Sequence, residues 1–318
     1  MTVDFGREIC GRLPTAESRE WLCTNGLGAF ASGTVAGLLT RRYHGLLVAA
    51  LQPPLGRTLL VTKLDDTVEY DGLRRPLCTN RWADGAVDPH GYHEIERFRL
   101  EGTTPVWIYV CADMRLEKRI WMEHGANTTY VQYRLLRARG PVKLEMKALV
   151  NYREYHATTR GDSWQMRGEP VPEGLRVVAY EGARPFVLLA EGAEVEPAHD
   201  WYYGFDLAAE RERGLDSRED HLHAGTFSAT HSPGSALTLV LSAEAAPSLD
   251  GEAAWRRQQQ YEEALLTRWR RTHRIARRAP AWVRHLVLAA DQFVVQRPLL
   301  DDPDGMSGII NIILKKNQ

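Results

Sequence analysis

Cysteine is scarce in this 318-residue chain, and its four thiols are too far apart to form a recognisable motif. Cys10, Cys23, Cys78 and Cys111 contain no C-x-x-C pair of the kind found in structural zinc sites and redox proteins. Four cysteines in so long a chain do not make a disulfide framework either. Small disulfide-rich secreted proteins are therefore excluded as a class, and a reducing cytoplasm fits the composition best.

The sequence also lacks a hydrophobic run long enough to cross a membrane. The longest apolar segments, 45–51 (GLLVAAL) and 308–314 (GIINIIL), fall far short of the roughly 20 residues that span a bilayer. The first residues, MTVDFGREICGRLP, have no basic start followed by an apolar stretch and so do not resemble a signal peptide. We expect a cytoplasmic protein that makes no membrane contact.

The chain carries no strong excess of charge of either sign. Its formal net charge is −1 at pH 7, so no global field attracts nucleic acid or an anionic membrane. Segment 268–278 (RWRRTHRIARR) is locally basic, but the solvated face of a helix explains it better than a nucleic-acid site does. We therefore expect an uncharged partner and no nucleic acid.

Motifs for phosphate-bearing cofactors are missing or out of context. Residues 26–31 match G-x-G-x-x-A, but the following stretch is poor in helix formers and no acidic residue follows about twenty positions later to bind a ribose. A Gly-rich turn between strands is the better interpretation. The chain contains neither G-K-[ST] nor G-x-S-x-G. No cofactor is expected.

Two histidine groups offer metal-ligand residue types without the spacing of a metal site. They are His90-x-x-His93 with Glu94 beside it, and His221-x-His223 with Asp220 beside it. Neither lies on an evident helix with i, i+4 spacing, so solvated loop residues or contacts to sugar hydroxyls are favoured over zinc. No metal site is expected.

What the chain does have, from about residue 20 to 245, is a long series of short β-like runs separated by turn residues. Some alternate strictly, as in 130–135 (YVQYRL), where one face would pack on a core. No convincing helix interrupts the series, which argues against a βαβ fold. We predict a large antiparallel β-sandwich in which Leu46, Val48, Ile120, Val131, Tyr133 and Leu135 are buried. The predicted runs are 43–51, 57–63, 106–111, 116–122, 129–136, 142–150, 175–180, 185–190 and 236–242.

The sequence pattern changes after Pro247. Segment 251–274 is rich in helix formers, and Tyr261, Leu265 and Trp269 recur every four residues, which predicts a polar linker helix with one apolar stripe. A second helix is predicted over 280–297, bounded by prolines, with an apolar side that needs a partner.

Aromatic and charged residues are concentrated at 201–216 (WYYGFDLAAERERGLD). Aromatic faces stack on sugar rings while Arg, Asp and Glu bond hydroxyl groups, so this mixture is typical of carbohydrate sites. The alternative is a large loop whose aromatic residues simply anchor it to the sandwich. Residue types alone favour that alternative.

Long stretches of the chain closely resemble bacterial and archaeal type glycogen debranching enzymes (amylo-α-1,6-glucosidases). The resemblance begins with EWLCTNGLGAFASGTVAGLLTRRYHGLLVAA at 20–50 and PPLGRTLLVTKLDDT at 53–67. It continues in the same order through FRLEGTTPVWIYV, LEKRIWMEHGANTTYVQYRLL, LVNYREYHATT and WYYGFDLAAERERGLDSRED. It covers about residues 18–307.

The resemblance implies a fold and a role. The fold is a β-supersandwich over 1–246, a linker helix over 247–279 and the start of an (α/α)6 toroid over 280–307. The role is that of the N-terminal, non-catalytic, substrate-binding and structural domain of an enzyme that hydrolyses α-1,6 branch points of glycogen. The implied partners are α-glucans, such as glycogen and maltooligosaccharides, and the toroid itself. We expect the α-glucan contacts at Tyr43, His44, Trp201, Tyr202, Tyr203 and Arg211, because aromatic and guanidinium groups lie together there on loops.

The resemblance stops near Ser307. Residues 308–318 (GIINIILKKNQ) depart from the family pattern and hold two of the six lysines, which favours a truncated or frameshifted gene over a natural short variant. Glycoside hydrolysis needs two positioned carboxyl groups, and none of the 41 Asp and Glu residues can be assigned that role. We therefore expect no catalytic residue and no hydrolysis by this chain alone. The alternatives are a stand-alone α-glucan-binding module and a complete hydrolase with its site in the β domain.

Overall fold

The computed structural model describes residues 3–52, 55–161, 164–272, 276, 278–297 and 308–311. Within them the chain is mainly antiparallel β-structure. The strands are β1 (Asp4–Phe5), β2 (Glu20–Thr24), β3 (Phe30–Thr34), β4 (Gly45–Gln52), β5 (Leu55–Tyr70), β6 (Leu73–Pro76), β7 (Thr79–Arg81), β8 (Val87–His90), β9 (Ile95–Glu101), β10 (Thr104–Cys111), β11 (Met114–Met122), β12 (Thr128–Arg137), β13 (Val142–Glu154), β14 (Arg167–Val171), β15 (Gly174–Val178), β16 (Phe186–Leu189), β17 (Glu194–Asp206), β18 (Arg218–His231), β19 (Ala236–Ser242), β20 (Val294–Arg297) and β21 (Gly308–Asn311). The helices are α1 (Arg7–Cys10), α2 (Leu13–Glu17), α3 (Ala208–Glu212), α4 (Gly251–Thr272) and α5 (Ala281–Asp291), with a 3-10 turn at Gly91–Glu94.

Two large sheets contain most of these strands. The first has nine strands in the order β1-β9-β10-β11-β12-β19-β16-β15-β14. The second has the order β17-β18-β13-β5-β4-β3-β2, with β6 added beside β5. Two-stranded pairs, β7-β8 and β20-β21, lie outside them. This large antiparallel β-structure confirms the predicted fold class.

A continuous apolar core is formed by residues from both large sheets. The predicted stripe of Leu46, Val48, Ile120, Val131, Tyr133 and Leu135 is buried throughout, as the alternation indicated. One ion pair crosses this core, since Lys118 of β11 donates to Asp66 of β5. Tyr133 of β12 also donates to Asp66, over 2.7 Å, so both charges and the hydroxyl are satisfied inside the sandwich.

The glycine-rich segment at 26–31 is a turn between β2 and β3, as predicted. Gly26 and Gly28 have φ angles of 75° and 98°, in the left-handed region that favours glycine. The Asn25 side chain closes the turn by accepting the N–H groups of Leu27 and Ala29 over 2.9 and 3.1 Å. Local hydrogen bonding thus accounts for the motif without a nucleotide.

Helix α4 occupies the first predicted helical segment and lies on the outer face of the nine-stranded sheet. Asp250 caps it by accepting the N–H of Ala253 over 2.9 Å. Trp255 packs against Trp121 of β11, with ring centroids 5.5 Å apart. At the next turns of the helix, Glu262 accepts the N–H and hydroxyl of Thr103, over 3.0 and 2.6 Å. The helix is therefore tied to the sheet along several turns.

The second predicted helix is shorter than the sequence suggested. It was expected over 280–297, but α5 ends at Asp291 and Val294 begins strand β20. Val294 and Val295 are β-branched and favour an extended backbone, and Pro298 disfavours helix at the residue before it. Trp282 and Phe293 are exposed, as expected for an uncovered apolar side. No helix in the described part of the chain is both long and apolar enough to cross a bilayer.

Candidate functional site

Three segments that are far apart in the sequence meet beside the eight-stranded sheet. They are the loop before β4, the segment after β13, and α3 with its flanking residues. The N–H of Ala209 donates to the carbonyl of Thr40 over 3.0 Å, and Arg42 Nη2 donates to the carbonyl of Asp216 over 3.3 Å. We call the combined region, residues 40–44, 154–160 and 206–218, the rim site.

Arginines and carboxylates pair throughout the rim site and its support. Each guanidinium faces a carboxylate from a segment far away or across a turn, so these pairs fix the loops relative to the sheet. The pairs are Arg41–Glu20, Arg42–Glu210, Arg153–Glu219, Arg160–Asp216 and Arg211–Asp206.

The pairing keeps two of these carboxylates ionised. Glu20 lies 3.6 Å from His44 Nε2 and 2.6 Å from Arg41 Nε. The interaction with His44, and then that with Arg41, lowers the pKa of Glu20 from 4.5 to about 2 although partial burial opposes the shift. A hydrogen bond from Thr158 over 2.7 Å, followed by the Arg218 N–H and Arg160, lowers the pKa of Asp216. Neither carboxyl group is therefore a proton donor near neutral pH.

Beneath the rim lies a buried histidine that stays neutral. Burial, and then the positive charges of Arg153 and Lys63, lower the pKa of His221 well below its ordinary value. Its Nδ1 accepts from Asn151 Nδ2 over 3.1 Å, which places the ring proton on Nε2, 3.8 Å from Glu219 Oε2. Burial also raises the pKa of Glu219, against the influence of Arg153. These groups support the rim from below and do not reach solvent.

The histidine groups weighed as metal ligands make other contacts. His223 Nε2 lies 3.0 Å from the hydroxyl of Thr226, and the rings of His90 and His93 stack at 6.1 Å. Among the residues that the structure describes, no group of three or more His, Cys, Asp or Glu side chains could hold a metal ion.

The outer part of the rim site presents aromatic rings. Tyr43 Oη lies 3.0 Å from His156 Nδ1, and the Tyr43 ring is 5.7 Å from that of Tyr155. Arg57 places its guanidinium 5.5 Å from the centre of the Tyr155 ring. Rings with imidazole and guanidinium donors beside them suit an uncharged, polyhydroxylated ligand.

The other predicted residue of the 40–44 loop has a structural position. His44 is only 2% exposed, and its Nδ1 accepts the N–H of Thr40 over 3.1 Å. The ring thus closes the loop that presents Tyr43. Arg211 is largely exposed on α3 and pairs with the buried Asp206. Tyr43, His44 and Arg211 therefore belong to one region.

The three adjacent aromatic residues of β17 do not share one surface. Trp201 packs towards the sandwich core beside Trp164, with ring centroids 6.0 Å apart. Tyr202 faces the other side of the sheet, where its hydroxyl accepts from Lys147 Nζ over 3.1 Å. Tyr203 follows at a β-bulge and is 58% exposed. Strand alternation explains the split, because successive side chains point to opposite faces.

Sequence reasoning did not single out Arg42, Tyr155, His156 or Asp216 as site residues. Tyr155 and His156 lie in the segment LVNYREYHATT. His156 contacts Tyr43 although the two residues are 113 positions apart in the sequence. Residue types gave no indication of that proximity, because Tyr43 precedes β4 and His156 follows β13, so both lie outside the paired strands.

Comparison with solved structures finds distant similarity. A bacterial glucoamylase in complex with acarbose is 11% identical, with a TM-score of 0.35, and the match covers 76% of this chain and 32% of that one. A protein described as a kojibiose phosphorylase from the human microbiome is 9% identical, with a TM-score of 0.31, over 85% of this chain and 34% of that one. The chain thus spans about a third of the length of each.

No protein of curated function matches the sequence. The family described as "glycogen debranching enzyme N terminal" matches residues 19–238, which is more than half of the sequence. The chain therefore belongs to the glycogen debranching enzyme N-terminal family.

Proposed function

We propose that this chain is the substrate-binding and structural N-terminal domain of a glycogen debranching enzyme that hydrolyses α-1,6 branch points. The rim site holds part of an α-glucan, and the catalytic carboxyl groups come from the (α/α)6 domain that the family resemblance implies. In this proposal residues 1–246 form the binding domain, 247–279 a linker, and 280–307 the start of the helical domain. The four cysteines are all free and buried, which fits action in the reducing cytoplasm.

The observation that carries the proposal is the cluster of Tyr43, Tyr155 and His156, held at the rim by buried ion pairs. A glucose unit offers an apolar ring face and several hydroxyl groups, and the cluster offers aromatic faces and fixed donors in return. Because Arg42 pairs with Glu210 and Arg160 with Asp216, the rim carries little unbalanced charge. An uncharged sugar fits that balance better than a phosphate or a nucleic acid does.

Three carboxyl groups in or beside the rim site have shifted pKa values, and none of the three suits the chemistry of hydrolysis. A glycosidase needs one carboxyl group with a raised pKa at the leaving oxygen and a second one across the bond. In the described part of the chain, the pKa of Glu219 is raised, but that group is fully buried and paired with Arg153. The pKa values of Glu20 and Asp216 are lowered. None of the three can donate a proton to a bound sugar.

Titration of the 318-residue chain with maltoheptaose, followed by NMR, tests the binding role. We expect a dissociation constant in the millimolar range, about −4 kcal/mol. Binding has to order the loops of the rim site, and contacts from only one side of the ligand offset little of that cost. Tyr43→Ala should weaken binding about ten-fold, whereas Leu73→Ala, at an exposed position on β6, should leave it unchanged. Equal affinity of the Tyr43→Ala and unaltered chains would refute the binding role. Micromolar or tighter affinity would favour the stand-alone module instead.

Glucose release from a branched limit dextrin tests the second half of the proposal. The chain should release no more glucose than a buffer blank does, because substrate contacts alone do not stabilise the transition state. Turnover that disappears when one of the chain's own carboxylates is replaced would place the active site in the β domain.

A further inference from the structure

A groove of about 500 Å³ opens next to the rim site, between the end of β13 and the turn that joins β15 to β16. Its size falls within the range of small-ligand sites, roughly 300–1,000 Å³. We call it the tyrosine groove and define it by Thr58, Tyr152, Glu154, Tyr180 and Arg184, which line it. None of these residues was singled out from the sequence.

Two tyrosines form the aromatic wall of the groove. The rings of Tyr152 and Tyr180 meet edge to face, with centroids 5.3 Å apart and planes at 82°. Tyr180 is 55% exposed, so a large part of its side chain is open to solvent. Such a ring offers a stacking surface to a ligand.

The backbone of the turn that carries Tyr180 is fixed before any ligand arrives. Tyr180 begins a tight turn in which the N–H of Ala183 donates to its carbonyl over 3.1 Å, and Gly182 supplies the left-handed φ of 82°. At the end of the turn the N–H of Arg184 donates to the hydroxyl of Tyr152 over 3.2 Å. The two rings and the turn therefore form one unit, and little conformational entropy is lost on binding.

Polar groups complete the groove and balance its charge. Arg184 lies 3.6 Å from Glu244, so its guanidinium is already partly neutralised. Glu154, two residues after Tyr152 on β13, is a carboxylate that repels phosphate groups and accepts hydroxyl hydrogens. This combination suits an uncharged polyol and disfavours a nucleotide or an acidic peptide.

The groove is continuous with the rim site through a single carboxylate. Glu154 lines the groove, and its Oε2 accepts the N–H of His156 over 2.7 Å. His156 in turn contacts Tyr43 in the rim site. Two residues of extended chain span at most about 7 Å, so the groove and the rim site lie close enough together for one oligosaccharide chain to reach both.

We propose that the tyrosine groove binds further glucose units of an α-glucan chain whose other part lies on the rim site. Tyr180 stacks on one glucose ring, and Glu154 and Arg184 bond its hydroxyl groups. This inference rests on the proposed α-glucan binding at the rim. It assigns the groove a preference for long chains, because a short oligosaccharide occupies the rim without reaching Tyr180.

NMR titration of the full chain with maltotriose and with maltoheptaose tests the inference. Tyr180→Ala should weaken maltoheptaose binding about five-fold and leave maltotriose binding unchanged. Tyr180→Phe keeps the ring and should bind as the unaltered chain does. Leu73→Ala is the matched control, since Leu73 is 56% exposed and lies outside the groove. In the unaltered chain the ring protons of Tyr180 should shift with maltoheptaose, a readout that requires no variant.

The outcomes separate the groove from the rim site. Tyr180→Ala with unchanged maltoheptaose binding, or Tyr180 signals that do not move, would overturn the inference. If Tyr43→Ala abolishes binding while Tyr180→Ala has no effect, the assignment of the groove is refuted and that of the rim site is supported. If Tyr180→Ala weakens maltoheptaose binding while Tyr43→Ala does not, the groove binds glucan and the rim assignment fails.

Discussion

Arg42 and Glu210 are 168 residues apart in the sequence, yet the Arg42 N–H donates to Glu210 Oε1 over 3.2 Å, and its Nε lies 3.4 Å from Oε2. The Glu210 side chain is fully buried. This pair joins the loop that carries Tyr43 to helix α3, so the shape of the rim site depends on it.

Removing the Glu210 carboxylate should destabilise the fold as well as the site. In Glu210→Ala the guanidinium of Arg42 stays mostly buried without its partner, and we expect the free energy of unfolding to fall by about 3 kcal/mol. Glu212→Ala, at an exposed position on the same helix, should change it by less than about 0.5 kcal/mol. Urea denaturation measures both values. Equal stability of the two variants would mean that the pair does not hold the loop.

The low pKa of Glu20 predicts a loss of stability in acid. A carboxyl group whose pKa falls from 4.5 to about 2 on folding stabilises the protein above its ordinary pKa, and that contribution disappears as the pH falls towards 2. Solvent screening keeps the contribution modest, because Glu20 is partly exposed. Unfolding free energies measured across this pH range should fall less steeply for Glu20→Gln than for the unaltered chain. Identical slopes would contradict the assignment.

The ion pair inside the sandwich should behave as a unit. Lys118→Met leaves Asp66 buried with only the Tyr133 hydroxyl as partner, and we expect a loss of about 3 kcal/mol or more in the free energy of unfolding. The double variant Lys118→Met, Asp66→Leu removes both charges and should recover most of that loss. A double-mutant cycle by chemical denaturation gives the coupling energy. Additive losses would show that the two side chains act independently.

Trp201 and Tyr203 were predicted for the same site, but the structure gives them different environments. The Trp201 ring lies against Gly161, where an added Cβ would be 2.5 Å from it, so Trp201→Ala should lower the free energy of unfolding by about 3 kcal/mol. Tyr203→Ala should lower it by less than about 0.5 kcal/mol. Thermal unfolding with maltoheptaose titration on both variants separates packing from binding. A weaker affinity in Trp201→Ala at unchanged stability would restore its direct role.

The sequence predicted the strands with the longest apolar runs, but it missed β2 and β9, whose apolar residues also face the core, and it missed strands whose buried residues are polar. Runs 106–111, 116–122 and 236–242 have apolar patterns, and all three are strands. Strand β18 was not predicted, because Glu219 and His221 are buried by pairing with Arg153 and by bonding to Asn151, and no hydrophobicity pattern reveals such partners. Strand β17 was missed because nearly all of its residues are exposed or half-buried, so its sequence has no alternating apolar face.

The site could be predicted only as a set of residue types. Tyr43 and Arg211 come from segments that the resemblance quoted, and the fold places both segments at the rim. The face of the sheet on which each ring lies depends on the position of the residue along its strand and on β-bulges. Both are determined by pairing with strands that are distant in the sequence. Trp201 and Tyr202 illustrate this, since one step along β17 reverses the face.

The position of β19 sets the order in which the protein can be built. This strand, Ala236–Ser242, lies between β12 and β16 and is the only strand described that joins the β1–β12 part of the nine-stranded sheet to the β14–β16 part. A ribosome must therefore release residue 242 before that sheet can close, and until then the edges of β12 and β16 have no neighbour. Helix α4 begins at Gly251, only a few residues later, and covers the face of the strands that have just been joined. Completion of the sheet and docking of the helix are thus consecutive late events. A nascent chain that stops before β19 exposes two unpaired strand edges, which can pair with other chains and aggregate.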